Sequence, residues 1–117
     1  MASLFQRIGF NHALDGLVHA FKTQINLKIH LVVAALVVIA GLFLQLSMIE
    51  WLFIVLAIFM VIIAELANTA IESLTDMITL KFSPHAKAAK DVAAGMVLVA
   101  SLASVIIGLI IFLPYLL

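Results

Sequence analysis

The sequence predicts an all-α integral membrane protein with one domain, residues 1–117, built from an N-terminal amphipathic helix and three spanning helices. Hydrophobic residues make up 67% of the chain and charged residues only 10%, whereas soluble domains have about 45–50% and 25%. A soluble fold of 117 residues could not bury so much apolar surface. In addition, three long apolar runs are separated by short polar segments, which is typical of spanning helices.

The N-terminal segment, residues 4–21, is amphipathic. Its apolar residues recur at helical spacing, and polar residues such as Arg7 and Asp15 lie between them. The chain offers little soluble protein against which such a helix could pack. We therefore expect a helix that lies in the membrane interface, and the alternative is an ordinary helix that faces a core.

The first two spans are predicted over residues 29–46 and 48–80. Trp51 stands at the start of the second span, where an interfacial aromatic residue is expected. At about 1.5 Å per residue, the second helix is longer than a hydrocarbon core of about 30 Å. Its far end should therefore project into the aqueous interface.

The third span is predicted over residues 84–113. Ser83 is suited to cap this helix, and Pro84 fits its first turn. The helix carries many alanines and glycines, which allow close contacts between helices in lipid. Pro114 is expected to end it.

The basic residues predict the orientation of the chain. All six lie before the first span or around the junction of the second and third spans: Arg7, Lys22, Lys28, Lys81, Lys87 and Lys90. The positive-inside rule then places the N-terminus and residues 77–90 in the cytoplasm, in a multi-pass protein of the cytoplasmic membrane. The net charge of zero argues against a nucleic-acid partner, and the absence of cysteine excludes disulfides and thiolate chemistry.

A polar stripe runs along the second span and is the main functional signal. On a helix, its four side chains fall at roughly 0°, 300°, 340° and 20°; they are Glu65, Asn68, Glu72 and Asp76. Carboxylates in a membrane segment are costly, and they face a partner, a cavity or a ligand. The stripe should begin in the cytoplasmic third of the membrane and end at or beyond the headgroups.

The depth of each carboxylate suggests its chemistry. A carboxylate in low-dielectric surroundings binds a proton more readily than one in water, so the deepest one, Glu65, is the best candidate for a general base. Glu72 and Asp76 lie nearer water, as ligands of Mg²⁺ do. Lys90 and Asp91 on the third helix add a cation for phosphates and another anion, which completes the parts of a phosphoryl-transfer site.

Two alternatives remain open from the residues alone. The intramembrane carboxylates also fit a proton or ion pathway, although that hypothesis gives no role to Lys90 and Asp91. The chain could also be a purely structural helical subunit, in which the stripe pairs helices. The spacing of the residues does not decide among these three functions.

The residues that carry the site also carry a resemblance to a known family. Residues 65–72 (ELANTAIE), then Asp76, then residues 86–95 (AKAAKDVAAG) resemble the signature of the prokaryotic diacylglycerol kinases, which are small three-span lipid kinases. The resemblance extends over nearly the whole chain. Residues 49–51 and 112–114 look most like the Gram-positive branch, whose members are undecaprenol kinases.

The resemblance implies a homotrimer that uses ATP and Mg²⁺ to phosphorylate a membrane lipid, most naturally undecaprenol and alternatively diacylglycerol. It implies that Glu65 is the catalytic base, that Glu72 is a metal ligand at the nucleotide site, and that Asn68 orients the substrate. The other polar positions of the ATP site are Asp76, Lys90 and Asp91.

Gln24 is a departure from the family pattern. The family usually has a glutamate before the first span that serves as a second metal ligand, and the matching segment here is Gln24-Ile25-Asn26. A glutamine offers a carbonyl oxygen but no charge. Gln24 is therefore expected at the ATP and metal site with weaker metal binding.

Overall fold

The computed structural model describes residue 4 and residues 9–117. Residues 9–117 form four α-helices and no strand: α1 (Phe10–Thr23), α2 (Ile25–Leu44), α3 (Met48–Ile78) and α4 (Pro84–Leu116). Helices α2, α3 and α4 are each long and apolar enough to cross a membrane, so the protein is a multi-pass membrane protein. That the chain forms one domain over residues 1–117 stays a prediction.

Helix α1 covers most of the predicted amphipathic segment. It begins after Gly9, whose backbone is left-handed (φ 74°), a conformation that glycine adopts without steric cost. Residues 5–8, where the predicted helix has its first turn and Arg7, lie outside the described residues. The location of α1 in the membrane interface stays a prediction.

One residue, Gln24, separates α1 from α2. Its extended backbone (φ −108°, ψ 106°) lies between two helical segments. Its N–H donates to the Ala20 carbonyl at 2.9 Å, and its carbonyl accepts from the Lys28 N–H at 3.4 Å. Because one residue closes one helix and opens the next, α2 begins at Ile25, four residues before the predicted start.

Helix α3 is held at its start by reciprocal hydrogen bonds. The Glu50 N–H donates to Ser47 Oγ at 3.3 Å, and the Ser47 N–H donates to Glu50 Oε1 at 3.1 Å, which forms a capping box. The 31 residues of α3 extend about 46 Å. The helix ends at Ile78, two residues before the predicted end, because Thr79 is extended.

The start of α4 confirms the predicted cap, whereas its end differs from the prediction. Ser83 Oγ accepts from the Ala86 N–H at 3.4 Å, and Pro84 is the first helical residue. The predicted end at residue 113 is wrong, since α4 continues through Pro114 to Leu116. Proline removes the hydrogen bond of its missing N–H and crowds the preceding turn, but only the last turn of α4 follows it, and that turn still closes through Leu117 N–H to the Leu113 carbonyl at 3.0 Å.

The helices pack mainly through α3. Its most extensive contact is with α4, and α2 packs on α3 from another side. One core cluster lies where α2, α3 and α4 meet and contains Leu46, Ile54 and Ile111; a second contains Val61, Ala64 and Ala100. Most large apolar side chains elsewhere on these helices are exposed on this single chain, as expected for surfaces that face lipid or another subunit.

Replacement of Gly41 by alanine should destabilise the fold. A Cβ atom on Gly41 would lie 2.7 Å from Trp51 Cη2 and 2.9 Å from Leu46 Cδ1, so the tryptophan ring would have to move. Overpacking of this kind costs about 1–3 kcal/mol, partly offset by the helix propensity of alanine. The thermal midpoint of the purified protein in detergent should fall.

Gly16→Ala is the matched control, because no atom lies within 4 Å of the corresponding Cβ position on α1. Its thermal midpoint should stay level or rise. An equal fall in both variants would contradict the proposed contact between Gly41 and Trp51.

Candidate active site

The side chains of the polar stripe become more exposed from the middle of α3 towards the C-terminal end of this helix. Glu65 is 3% exposed and Asn68 is 8% exposed. Glu72, one turn further on, is partly buried, and Asp76 is exposed. A single helix face therefore carries polar groups from a buried, apolar environment to water.

Glu65 is paired with a residue of another helix. Its Oε1 lies 3.1 Å from Nε2 of His30 on α2, and the side chain of Glu65 is 4% exposed, whereas that of His30 is 26% exposed. The neighbouring Thr69 hydroxyl bonds to the Glu65 backbone carbonyl and so does not reach the carboxylate. Within the described part of the chain, the carboxylate of Glu65 has His30 as its hydrogen-bond partner.

Asn68 links the deep part of the stripe to the shallow part. Its Nδ2 donates to Glu72 Oε1 at 3.4 Å, a contact at the long limit for a hydrogen bond. Its Oδ1 is buried and has no hydrogen-bond partner among the described residues. An unsatisfied buried amide oxygen costs about 1–3 kcal/mol, and such a group is available to a ligand that donates a hydrogen bond.

The C-terminal end of the stripe meets the start of α4. Lys90 Nζ donates to Asp76 Oδ1 at 2.6 Å, with both side chains nearly half exposed. Asp91 is bonded instead to Lys87 on the same helix. Exposed pairs of this kind contribute about 0–1 kcal/mol to stability. Their charges therefore remain available for a ligand at the junction of α3 and α4.

This junction forms an open cleft with charged and apolar walls. The walls come from the end of α3, the connecting segment and the first turns of α4, and their charged residues are Asp76, Lys81, Lys87, Lys90 and Asp91. The three ammonium groups outnumber the two carboxylates, and this excess of positive charge suits an anionic ligand such as a polyphosphate.

The acidic residues of this site are better suited to a Mg²⁺ ion that is shared with a nucleotide than to a metal ion held by protein ligands alone. No group of three or more His, Asp or Glu side chains that could hold a metal is found among residues 4 and 9–117. Mg²⁺ needs only one or two carboxylates when phosphate oxygens and water complete its shell. Glu72, partly buried and bonded only weakly to Asn68, can supply one such carboxylate.

Among the described residues, Gln24 forms no hydrogen bond to Glu72. Its Nε2 instead donates to Thr23 Oγ1 at 3.4 Å, and it lies at the turn between α1 and α2. The role of Gln24 at the metal and ATP site therefore stays a prediction, as do the roles of the residues on the stripe.

His30 is the site residue that sequence reasoning missed. A contact across 35 positions of the chain leaves no trace in the periodicity of one helix. A signal was nevertheless present, because His30 is the only ionisable residue between positions 29 and 46. Ionisable residues inside spans are generally functional.

Comparison with known proteins gives consistent matches. The family model described as prokaryotic diacylglycerol kinase matches residues 11–112. The undecaprenol kinase of Bacillus subtilis is 49% identical over 105 residues, which cover 90% of this chain and 85% of that protein. A diacylglycerol kinase of Synechocystis is 43% identical over 112 residues, covering 94% and 63% of the two chains. A diacylglycerol kinase of Helicobacter pylori is 29% identical over 88 residues, covering 75% and 69%.

Proposed function

The chain belongs to the prokaryotic diacylglycerol kinase family, and we propose that it transfers the γ-phosphate of ATP to the hydroxyl of undecaprenol. It is a lipid kinase with ATP as co-substrate. The choice of undecaprenol is supported by the Bacillus subtilis relative, which is 49% identical. The alternative acceptor is diacylglycerol, named for the other two relatives.

The observation that carries the mechanism is the burial of Glu65 at the inner end of a polar stripe. A carboxylate withdrawn from water is suited to take a proton from an alcohol. The lipid hydroxyl gives its proton to Glu65, and its oxygen forms a bond to the γ-phosphorus. The bond from that phosphorus to the bridging oxygen breaks, and ADP leaves with the electron pair.

The hydroxyl must be oriented as it reacts. Asn68 lies one turn from Glu65, and its Nδ2 donates one hydrogen to Glu72 Oε1. The amide nitrogen carries a second hydrogen, which can bond to the oxygen of the incoming hydroxyl, while the single hydrogen of that hydroxyl goes to Glu65. We assign Asn68 this orienting role.

The nucleotide is held at the shallow end of the stripe. Lys90 offers an ammonium group to the phosphates, beside the carboxylates of Asp76 and Asp91. Glu72 is the carboxylate best suited to hold Mg²⁺ together with phosphate oxygens and water, and Gln24 is a second, uncharged candidate. When bound, Mg²⁺ neutralises charge that develops on the phosphates.

The membrane setting and the assembly follow from the same distribution of residues. We propose the cytoplasmic membrane, with the N-terminus and the basic junction of α3 and α4 in the cytoplasm, where ATP is found. The extensive exposed apolar surfaces of α2, α3 and α4 and the small residues of α4 suit helices of different subunits that pack closely, and the resemblance to the family implies that there are three subunits. An ion pathway is the weaker hypothesis, because it gives no role to the Asp76–Lys90 pair.

The test of this function is phosphate transfer from γ-labelled ATP to lipid in detergent micelles, with undecaprenol and diacylglycerol assayed side by side. Wild-type protein should label undecaprenol preferentially.

Glu65→Gln should lower turnover by about 100-fold or more, since general base catalysis contributes about 10²–10⁴-fold. Undiminished turnover in this variant would remove Glu65 as the base. Labelling of diacylglycerol alone would overturn the substrate assignment, and ion flux in liposomes without ATP consumption would overturn the kinase function.

Restoration of a carboxylate at position 24 should strengthen metal binding. In Gln24→Glu, the Mg²⁺ concentration for half-maximal activity should fall by about tenfold or more, on the scale of changes around metal sites. Gln45→Glu is the control, because it adds the same charge in the turn before α3, at the opposite end of the spans. An unchanged Mg²⁺ requirement in Gln24→Glu would exclude position 24 from the metal site.

A further inference from the structure

We propose that His30 is a positioning residue for Glu65, holding one carboxylate oxygen so that the other faces the lipid hydroxyl. The proposal rests on the proposed function of Glu65 as the base. Its starting observation is the 3.1 Å contact between His30 Nε2 and Glu65 Oε1, which joins α2 to α3.

The contact meets a need of the buried carboxylate. A carboxylate that is removed from water requires hydrogen-bond donors to remain available as a base. A neutral imidazole with its hydrogen on Nε2 donates to Oε1 without adding a charge. This bond reduces the basicity of Oε1 and leaves Oε2 as the freer oxygen, so we assign the hydroxyl proton to Oε2.

The surroundings of His30 place it on the apolar side of Glu65. The histidine lines a cleft between α2, α3 and α4 whose other walls are largely apolar, including Val33, Val37, Val61 and Phe112. The α4 wall contributes one hydroxyl, that of Ser104, and no charged side chain. Within the described chain, Glu65 is the charged group that pairs with the imidazole.

The histidine keeps its own proton during the reaction. The O–H bond of the lipid breaks and its proton moves to Glu65 Oε2, while the new O–P bond forms and ADP departs with the electrons of the broken P–O bond. The hydrogen bond from His30 Nε2 to Oε1 persists throughout. A residue with this role affects the rate of the chemical step and leaves nucleotide binding unchanged.

Two substitutions in the full-length protein test the proposal. His30→Phe keeps the ring and removes the donor, and it should lower kcat by about 10–100-fold, as expected when a reacting group is displaced by about 1 Å, with the KM for ATP unchanged. His30→Gln places an amide N–H close to the position of Nε2 and should keep most of the wild-type kcat. His19→Phe, at an exposed histidine of α1, is the matched control and should behave as wild type.

A double variant separates positioning from general packing. Because His30 acts through Glu65, His30→Phe should cause no further loss in the Glu65→Gln background. Further loss there, wild-type kcat in His30→Phe, or equal damage in His30→Gln and His30→Phe would each overturn the proposal. If His30→Phe does not fold, His30→Asn, whose shorter amide cannot reach Oε1, should show the loss of kcat, and full activity in that variant would overturn the proposal.

These outcomes differ from failure of the proposed function. If the wild-type protein phosphorylates neither lipid, or if Glu65→Gln remains fully active, the assignment of Glu65 fails. If both behave as expected and His30→Phe keeps wild-type kcat, only the role of His30 fails.

Discussion

A buried carboxylate requires a hydrogen-bond partner, and in this protein Glu65 of α3 finds its partner on α2. The packing of these two helices therefore depends on that contact. The contact with His30 is possible only if α2 and α3 keep a defined register. That register depends on the short turn at residues 45–47, where the capping box of Ser47 and Glu50 starts α3. The electrostatic cost of burying one side chain is thus offset by a hydrogen bond whose geometry depends on this turn.

The gradient of exposure along α3 lets two reactants from different phases meet. A lipid alcohol stays in the membrane, whereas a nucleotide stays in water. Glu65 is buried within the apolar part of the bundle, and Asp76 reaches water about 16 Å further along the helix. The site that we propose therefore needs neither a soluble domain nor a phosphate-binding loop. Four side chains on one helix face extend from the apolar part of the bundle to water, so they span the interface at which both reactants meet.

Much of the fold could be predicted, because spans and caps depend on local sequence. The three apolar runs, the Ser83 cap and the polar stripe all follow from neighbours along one helix. The features that were not predicted do not follow from the neighbours along one helix. The His30–Glu65 contact joins distant segments, and α4 continues for one turn beyond Pro114 through the Leu117–Leu113 backbone bond. The role of Gln24 at the metal and ATP site stays a prediction.

The position of Glu65 along α3 also relates the site to the thickness of the membrane. Trp51 lies near the start of this helix, and tryptophan is a residue that anchors helices at a membrane surface. Glu65 follows about 21 Å further along the helix. In the arrangement that we propose, Glu65 is at a set distance from the membrane surface near Trp51, whereas its distance from the opposite surface changes with bilayer thickness. In a thicker membrane Glu65 lies deeper beneath the headgroups of that opposite surface, and tilt compensates only in part. For the proposed kinase, bilayer thickness and therefore lipid composition affect how readily a lipid hydroxyl reaches Glu65.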